Sequence, residues 1–420
     1  MDTQEQNIVP LRSLTLDLPP SCIEFCPSHP DYFVVGTYNL HKEDEPDADI
    51  PIGDDEQQTR KHSQTRNGSL VLFKLSGSSE IEHVQTLLYP SAILDLRFHP
   101  RRERGAVLAV VSSTSTLSFF KLSASEEAPI TLKEISTHKP LGVNEEILFL
   151  SCSWHPSIPS LLAITTSNYQ VHILSIDDSW DACKAHDKPV ITHTLEAWTV
   201  AFSPLTLRPN SDSADSPRGE SQLFTLFSGG DDSKLLGTSC DYEPARTGIQ
   251  DNLIEIPYPV VAIKGHEAGV TAILPLNLQL SDGASVIITG SYDDYIRVFS
   301  VYNQVEGMSL HTPRLLAERN LSGGVWRLKL VKIEKSTGEV AREGQWTALI
   351  LASCMHAGST VVEVTGDCAE VCEVKVLGRF EEHKSMNYGS DFQPGTELRG
   401  RRLRCVSTSF YDKLLCLWEY

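Results

Sequence analysis

The chain has 420 residues, of which 40% are hydrophobic, and a formal net charge of −19. This acidic excess argues against double-stranded nucleic acid and anionic membrane surfaces as direct partners. No apolar run approaches the roughly 20 residues needed to span a bilayer, and residues 1–10 lack the apolar core of a signal peptide. We therefore expect a cytoplasmic protein without membrane insertion, whose ten cysteines are mostly buried free thiols.

The predicted elements are short strands along the whole chain. A first segment, Leu14–Leu18, precedes seven units that each open with an alternating apolar strand. These openings are residues 22–25, 94–100, 150–156, 199–204, 270–273, 325–328 and 385–388. Two polar insertions interrupt units: the acid-rich loop 41–67 in the first and the Ser/Asp/Pro loop 209–220 in the fourth.

A short phrase recurs in the later units. It consists of small residues, a tight turn around an aspartate and an alternating strand, at residues 228–236, 289–299 and 407–418. Gly265 and His266 precede the fifth opening strand. These features are typical of WD-repeat blades. The sequence thus predicts an all-β fold in which residues 1–420 form a single seven-bladed WD-repeat β-propeller. We expect Leu14–Leu18 to close the ring beside Leu415–Tyr420, which removes two exposed sheet edges.

Some polar residues of the phrase have a structural interpretation. In such blades the histidine, the turn aspartate and a strand hydroxyl normally bond to one another, which His266, Asp293 and Thr289 fit. Asp232 and Asp412 align with Asp293 and are expected to be structural as well.

The residues before the turn aspartates point outward and are candidates for function. They are Asp231, Tyr292 and Tyr411, with His356 near the matching place in the sixth unit, which lacks the aspartate. This departure from the repeat indicates either a functional site or simple repeat decay. His383 adds a second imidazole, and Trp326 belongs either to the core or to the channel mouth.

Enzyme motifs and metal motifs are missing from the sequence. It contains no GxSxG, HExxH, Walker A or GxGxxG pattern. Neither CxxxC pair, Cys22/Cys26 or Cys368/Cys372, has a second pair at zinc spacing, so neither a metal nor a cofactor is expected. From the residues alone, a non-catalytic protein-interaction scaffold is the default function.

The last third carries more particular motifs. They are residues 265–271, 290–294, 323–329, 352–358, 383–391 and 407–412. This set resembles the WD-repeat diphthine methylesterase family of diphthamide biosynthesis. The resemblance implies an ester hydrolase that removes the methyl ester from the modified histidine of translation elongation factor 2.

Chemical reasoning then suggests site residues for that reaction. Ester hydrolysis needs a base, and His356 or His383 could serve, oriented by an acid such as Asp391 or Glu382. The substrate also carries a trimethylammonium group, which aromatic rings and carboxylates bind. The expected contacts are Asp231, Tyr292, Trp326 and Tyr411.

Overall fold

The computed structural model describes residues 5–40, 65–77, 79–125, 128–142, 144, 146–207, 221–245, 248–249, 252–302, 312–335, 344–367, 372–396 and 402–420. Seven separate sheets follow one another along the chain, each with its first strand innermost. This arrangement confirms the predicted seven-bladed propeller. The described residues include one short 3-10 helix, Arg102–Arg104.

The strands of each blade run from the channel outward and pair antiparallel, except for Gln6–Ile8 in blade 6, which pairs parallel. The strands are Pro20–Cys26, His29–Thr37, Arg66–Ser76 (joined by Asn39–Leu40) and Glu80–Tyr89 in blade 1; Ile93–Phe98, Val107–Ser112, Leu117–Ser125 and Ala128–His138 in blade 2; Phe149–Trp154, Leu161–Thr166, Gln170–Ile176, Cys183–Ala185 and Ile191–Thr192 in blade 3; Ala197–Leu207, Gln222–Gly230, Leu235–Glu243, Leu253–Glu255 and Val261–Ile263 in blade 4; Val270–Gln279, Ser285–Ser291, Tyr295–Val301 and Arg314–Asn320 in blade 5; Arg327–Lys335, Trp346–Ser353, Ser359–Gly366, Cys372–Phe380 and Gln6–Ile8 in blade 6; and Gly389–Phe392, Arg404–Ser409, Leu414–Glu419 and Pro10–Thr15 in blade 7.

The core is divided among the contacts between blades. The described residues form seven clusters of buried apolar side chains, and each cluster lies between two neighbouring blades. A chain of this length exceeds the usual limit of about 250–300 residues for one core. Repetition of blade-to-blade contacts explains how the ring grows beyond that limit.

The N-terminal segment closes the ring, as predicted, although its strand is placed slightly earlier. Pro10–Thr15 pairs antiparallel with Leu414–Glu419 and sets Leu14 opposite Leu415. Gln6–Ile8 then crosses to blade 6, where it adds a parallel fifth strand to Cys372–Phe380. The segment therefore links blades 6 and 7, a feature that the sequence did not indicate.

The inner strand of blade 7 and the acidic insertion differ from their predicted bounds. The inner strand of blade 7 is Gly389–Phe392 rather than residues 385–388, because Asn387 forms an isolated bridge with Met355 of blade 6. The predicted insertions 209–220 and 41–64 lie outside the described residues, while residues 66–67 of the acidic insertion belong to a strand. Within the described residues, no helix is long and apolar enough to cross a membrane.

Candidate functional site

Four aromatic side chains converge where the inner strands begin, on what we call the top face. Trp326 precedes the inner strand of blade 6. Its ring centroid lies 5.6 Å from Trp198 of blade 4, 5.8 Å from Tyr292 of blade 5 and 5.0 Å from Tyr388 of blade 7. All four are half-buried. We call them the aromatic cluster. Their contacts resolve the two interpretations of Trp326 in favour of the channel mouth.

An exposed carboxylate flanks this cluster. The indole Nε1 of Trp198 donates a hydrogen bond of 3.3 Å to Oδ1 of Asp231. A Cβ added at Gly269 would lie 2.9 Å from that Oδ1 and 2.8 Å from Cδ2 of Tyr292, so glycine permits the close approach. Burial, reinforced by the negative charge of Asp231, raises the pKa of Tyr292 and keeps its phenol protonated. The site thus combines aromatic faces, one carboxylate and a neutral hydroxyl.

A second aromatic row continues from the cluster toward blade 1. The ring of Tyr388 lies 5.5 Å from Phe410, which in turn lies 5.1 Å from Tyr411 and 6.2 Å from Tyr38. Tyr411 is 69% exposed. It therefore stands beside the cluster, one ring removed from Tyr388, instead of contacting Trp326 directly.

His356 lies on the tight turn between the second and third strands of blade 6. The turn is exposed at His356, and its flanking residues Met355 and Gly358 have φ of 41° and 73°. A Cβ added at Gly324 would lie 2.6 Å from Sδ of Met355 and 3.5 Å from Cα of Tyr292. Met355 therefore lies beside Gly324, two residues before Trp326 in sequence, and His356 follows Met355 on the exposed turn.

His383 has surroundings unlike those of His356. It is only 6% exposed and its Nε2 lies 2.7 Å from Oγ of Ser407. That hydroxyl also accepts a bond of 2.9 Å from Nε1 of Trp418. Burial lowers the pKa of His383 to about 4. These contacts give His383 the position that His266 has in blade 5, where Nε2 lies 2.8 Å from Oγ1 of Thr289.

Asp391 does not join either histidine. Its Oδ2 accepts bonds from the Phe25 amide at 2.8 Å and from Nζ of Lys329 at 3.3 Å, and its Oδ1 accepts one from the Phe392 amide. Asp391 lies on the inner strand of blade 7, Gly389–Phe392, where it is buried. The expected pairing of Asp391 with a catalytic imidazole is therefore not formed, because these bonds hold it to the channel wall.

The expected bond between His266 and Asp293 is also replaced. Asp293 accepts two bonds from Nη1 of Arg297, at 2.9 and 2.8 Å, and one from the Glu267 amide. Arg297 is 3% exposed, so its buried charge needs this counter-ion. The complete arrangement occurs instead in blade 4, where Nδ1 of His193 lies 3.0 Å from Asp232.

A network of charges crosses the channel beneath the cluster. Arg327 of blade 6 reaches Asp95 of blade 2 at 2.9 Å, and Lys329 of blade 6 reaches Glu24 of blade 1 at 2.7 Å. Arg97 lies 3.5 Å from Asp95. These ion pairs tie opposite walls together, so the aromatic cluster is approached from the top face.

Sequence reasoning missed this network and two members of the cluster. A signal existed for the network, since Asp95, Arg97, Arg327 and Lys329 alternate with apolar residues on the inner strands. Trp198 and Tyr388 occupy the same place as Trp326, at or just before the start of an inner strand, so this position was the signal that could have found them. Among the described residues, no group of three or more His, Cys, Asp or Glu is arranged to hold a metal ion.

Fold and site together define a closed seven-bladed β-propeller with an acid-flanked aromatic cluster at one mouth of its channel. No protein-family model matches the chain. It is similar over 99% of both chains, at 28% identity, to the diphthine methyltransferase of Schizosaccharomyces pombe. It is 24% identical to the diphthine methyltransferase homolog of Dictyostelium discoideum, over 96% of this chain and 97% of that protein. The human diphthine methyltransferase is 25% identical over 91% of this chain and 74% of its own. The resemblance that the motifs of the last third predict is thereby confirmed over nearly the whole chain.

Proposed function

We propose that this protein hydrolyses the methyl ester of methylated diphthine on translation elongation factor 2, within diphthamide biosynthesis. The observation that carries the proposal is the contact of Trp326 with Trp198, Tyr292 and Tyr388 beside the carboxylate of Asp231. Relatives named for diphthine support the choice of substrate.

The substrate's cation matches this cluster. A trimethylammonium group has no N–H to donate, so it is bound by aromatic faces and negative charge rather than by hydrogen bonds. Each aromatic face contributes about 0.5–2 kcal/mol, more when water is excluded. In methylated diphthine the ester and the trimethylammonium group are attached to the same carbon atom. Binding of the cation therefore holds the ester beside the cluster.

Hydrolysis then requires a base and a hydrogen-bond donor near that position. We assign the base to His356, which removes a proton from the attacking water. The water oxygen bonds to the carbonyl carbon, and collapse of the tetrahedral intermediate breaks the acyl–oxygen bond. Methoxide leaves, takes up the proton and departs as methanol. Tyr292 and Tyr388, whose raised pKa values keep the phenols protonated, are our candidates for stabilising the oxyanion.

His383 and Asp391 support the site instead of reacting in it. Their bonds to Ser407 and to Lys329 fix blade 7 and the channel wall against which Tyr388 is placed. Tyr411, through Phe410, extends the aromatic surface at the rim.

Mass spectrometry of the elongation factor tests the proposal. Purified protein is incubated with elongation factor that carries methylated diphthine, and the mass of the modified peptide is measured. Hydrolysis removes one CH2 equivalent while the trimethylammonium stays. Methyl transfer to the factor, as the relatives' name suggests, would add one CH2 equivalent, and a non-catalytic scaffold would leave the mass unchanged. We expect turnover to persist with a chelator present.

A further inference from the structure

Large apolar side chains are exposed around the same rim that holds the aromatic cluster. Five of the exposed ones lie in loops or strand ends of the top face: Leu40, Leu88, Tyr169, Leu195 and Tyr411. Four others lie elsewhere: Val9 and Leu11 in the N-terminal segment, and Val260 and Leu315 in or beside outer strands on the flank of the ring. Scattered exposed apolar residues are ordinary, but an interaction surface requires several of them on one face, and the top face carries five of the nine that are exposed among the described residues.

Two of these residues flank the candidate site on opposite sides. Leu195 is 42% exposed and lies in the loop that leads to Trp198. Leu40 is 38% exposed and lies in the short hairpin above blade 1. Tyr38 of that hairpin reaches Phe410, and Phe410 reaches Tyr388. Leu40 therefore lies two residues from a row of packed rings that leads to the aromatic cluster, and Leu195 lies three residues from Trp198.

Exposed groups of both signs surround this rim, in a chain whose net charge is −19. Exposed acids stand in the loops of blades 4, 5 and 7, namely Asp231, Glu267, Glu381 and Glu382, with Lys234, Lys264 and Lys384 among them. The hairpin of blade 1 leads into residues 41–64, whose sequence holds eight acids (Glu43, Asp44, Glu45, Asp47, Asp49, Asp54, Asp55 and Glu56) against three bases (Lys42, Arg60 and Lys61). A second copy of this acidic chain would meet like charge at this face, so self-association here is disfavoured.

We propose that the top face is the docking surface for a folded protein whose own surface is basic, with Leu40 and Leu195 as apolar contacts on either side of the site. The identity of that protein as elongation factor 2 rests on the function proposed above. Docking then places the modified side chain at the channel mouth, so affinity comes from the protein surface and selectivity from the aromatic cluster.

The test is a binding measurement that needs no turnover. Immobilised wild-type protein and two double variants receive elongation factor 2 whose diphthine ester has already been removed. The rim variant is Leu40→Ser with Leu195→Ser. Its matched control is Val260→Ser with Leu315→Ser, at positions 42% and 45% exposed. Far-ultraviolet circular dichroism establishes that all three proteins are equally folded.

We expect the rim variant to raise Kd about tenfold or more, because two apolar contacts of the docking surface are lost together, while the control binds like wild type. We also expect wild-type Kd to rise with salt, since opposite charges meet. Equal Kd values for rim and control variants, or no binding by wild type, would overturn the inference. Rim-dependent binding without any hydrolysis would leave this inference standing and contradict the proposed function alone.

Discussion

The indole of Trp198 donates a 3.3 Å hydrogen bond to Asp231, and this bond joins an aromatic wall of the candidate site to its exposed carboxylate. The bond fixes the ring and leaves the second carboxylate oxygen of Asp231 without a hydrogen bond to the described residues. Asp231 also forms no ion pair with the described residues, so its negative charge is available to attract a cationic ligand.

Asp231→Asn should weaken substrate binding while leaving the chemistry intact. The amide oxygen can still accept the Trp198 bond, but the negative charge is gone. We expect KM to rise about fivefold with kcat unchanged, which corresponds to roughly 1 kcal/mol for a partly exposed charge. Steady-state kinetics at low and high salt provide the check. An effect that does not shrink with salt would mean that the charge of Asp231 is not what binds the substrate.

His356 and His383 should separate turnover from stability. His356→Ala should lower kcat about 10²-fold or more, the usual contribution of a general base, with little change in Tm. His383→Ala should lower the free energy of unfolding by about 1–3 kcal/mol, because Ser407 loses its hydrogen-bond partner and the buried imidazole leaves a cavity. Measurements of kcat and Tm for both variants test this separation. Full activity in His356→Ala would remove it as the base.

The blade pattern could be predicted from sequence because it depends on local periodicity. Apolar and small residues alternate in the same way in the three copies of the phrase, and each turn aspartate marks the turn between the second and third strands of its blade. The ring closure followed from an unpaired strand at each end of the chain. Which side chains meet across the channel could not be predicted in this way. Trp326 and Tyr388 belong to different blades, and their contact depends on how the sheets are rotated around the ring.

The same limit explains the histidines. His356 and His383 look alike in sequence, since both sit in loops at one face. Burial and partners distinguish them, because Ser407 lies in the neighbouring strand of the same blade and covers one imidazole only. Likewise, Asp293 is a structural aspartate, as the sequence predicts, but its partner is Arg297, four residues later, instead of His266.

Stability should fall steeply between about pH 6.5 and pH 4. Burial lowers the pKa of His172, His266 and His383 to about 4 and that of His155 to about 3, against a usual value of 6.5. Below pH 6.5 the unfolded chain binds these protons and the folded chain does not. The stabilisation is therefore complete above pH 6.5 and is lost as the pH falls, by about 1.4 kcal/mol per pH unit for each group.

Urea unfolding at several pH values measures this slope. The matched comparison is His383→Gln, which keeps a polar side chain but cannot take up a proton. The free energy of unfolding of this variant should change less steeply with pH than that of wild type, by the contribution of one proton taken up on unfolding. Unfolding free energies that stay constant from pH 7 to pH 5 would contradict the assignment of these histidines as buried and neutral.

The N-terminal segment offers a sharp contrast between adjacent residues. Ile8 is 3% exposed in the contact between blades 6 and 7, whereas Val9 is 64% exposed. Ile8→Ser should therefore destabilise by about 2–4 kcal/mol, through a cavity and a buried hydroxyl. Val9→Ser should change stability by less than about 0.5 kcal/mol. Chemical denaturation of both variants is the measurement, and equal stabilities would show that the parallel strand does not hold the ring.

The most direct test of the central claim is the fate of oxygen during the reaction. The protein is incubated with elongation factor 2 carrying methylated diphthine in water labelled with heavy oxygen, and the product peptide is analysed by mass spectrometry. Attack of water on the ester carbonyl predicts one heavy oxygen in the new carboxylate and unlabelled methanol. A carboxylate without label, with the methyl group carried to another acceptor, would contradict ester hydrolysis and support methyl transfer instead.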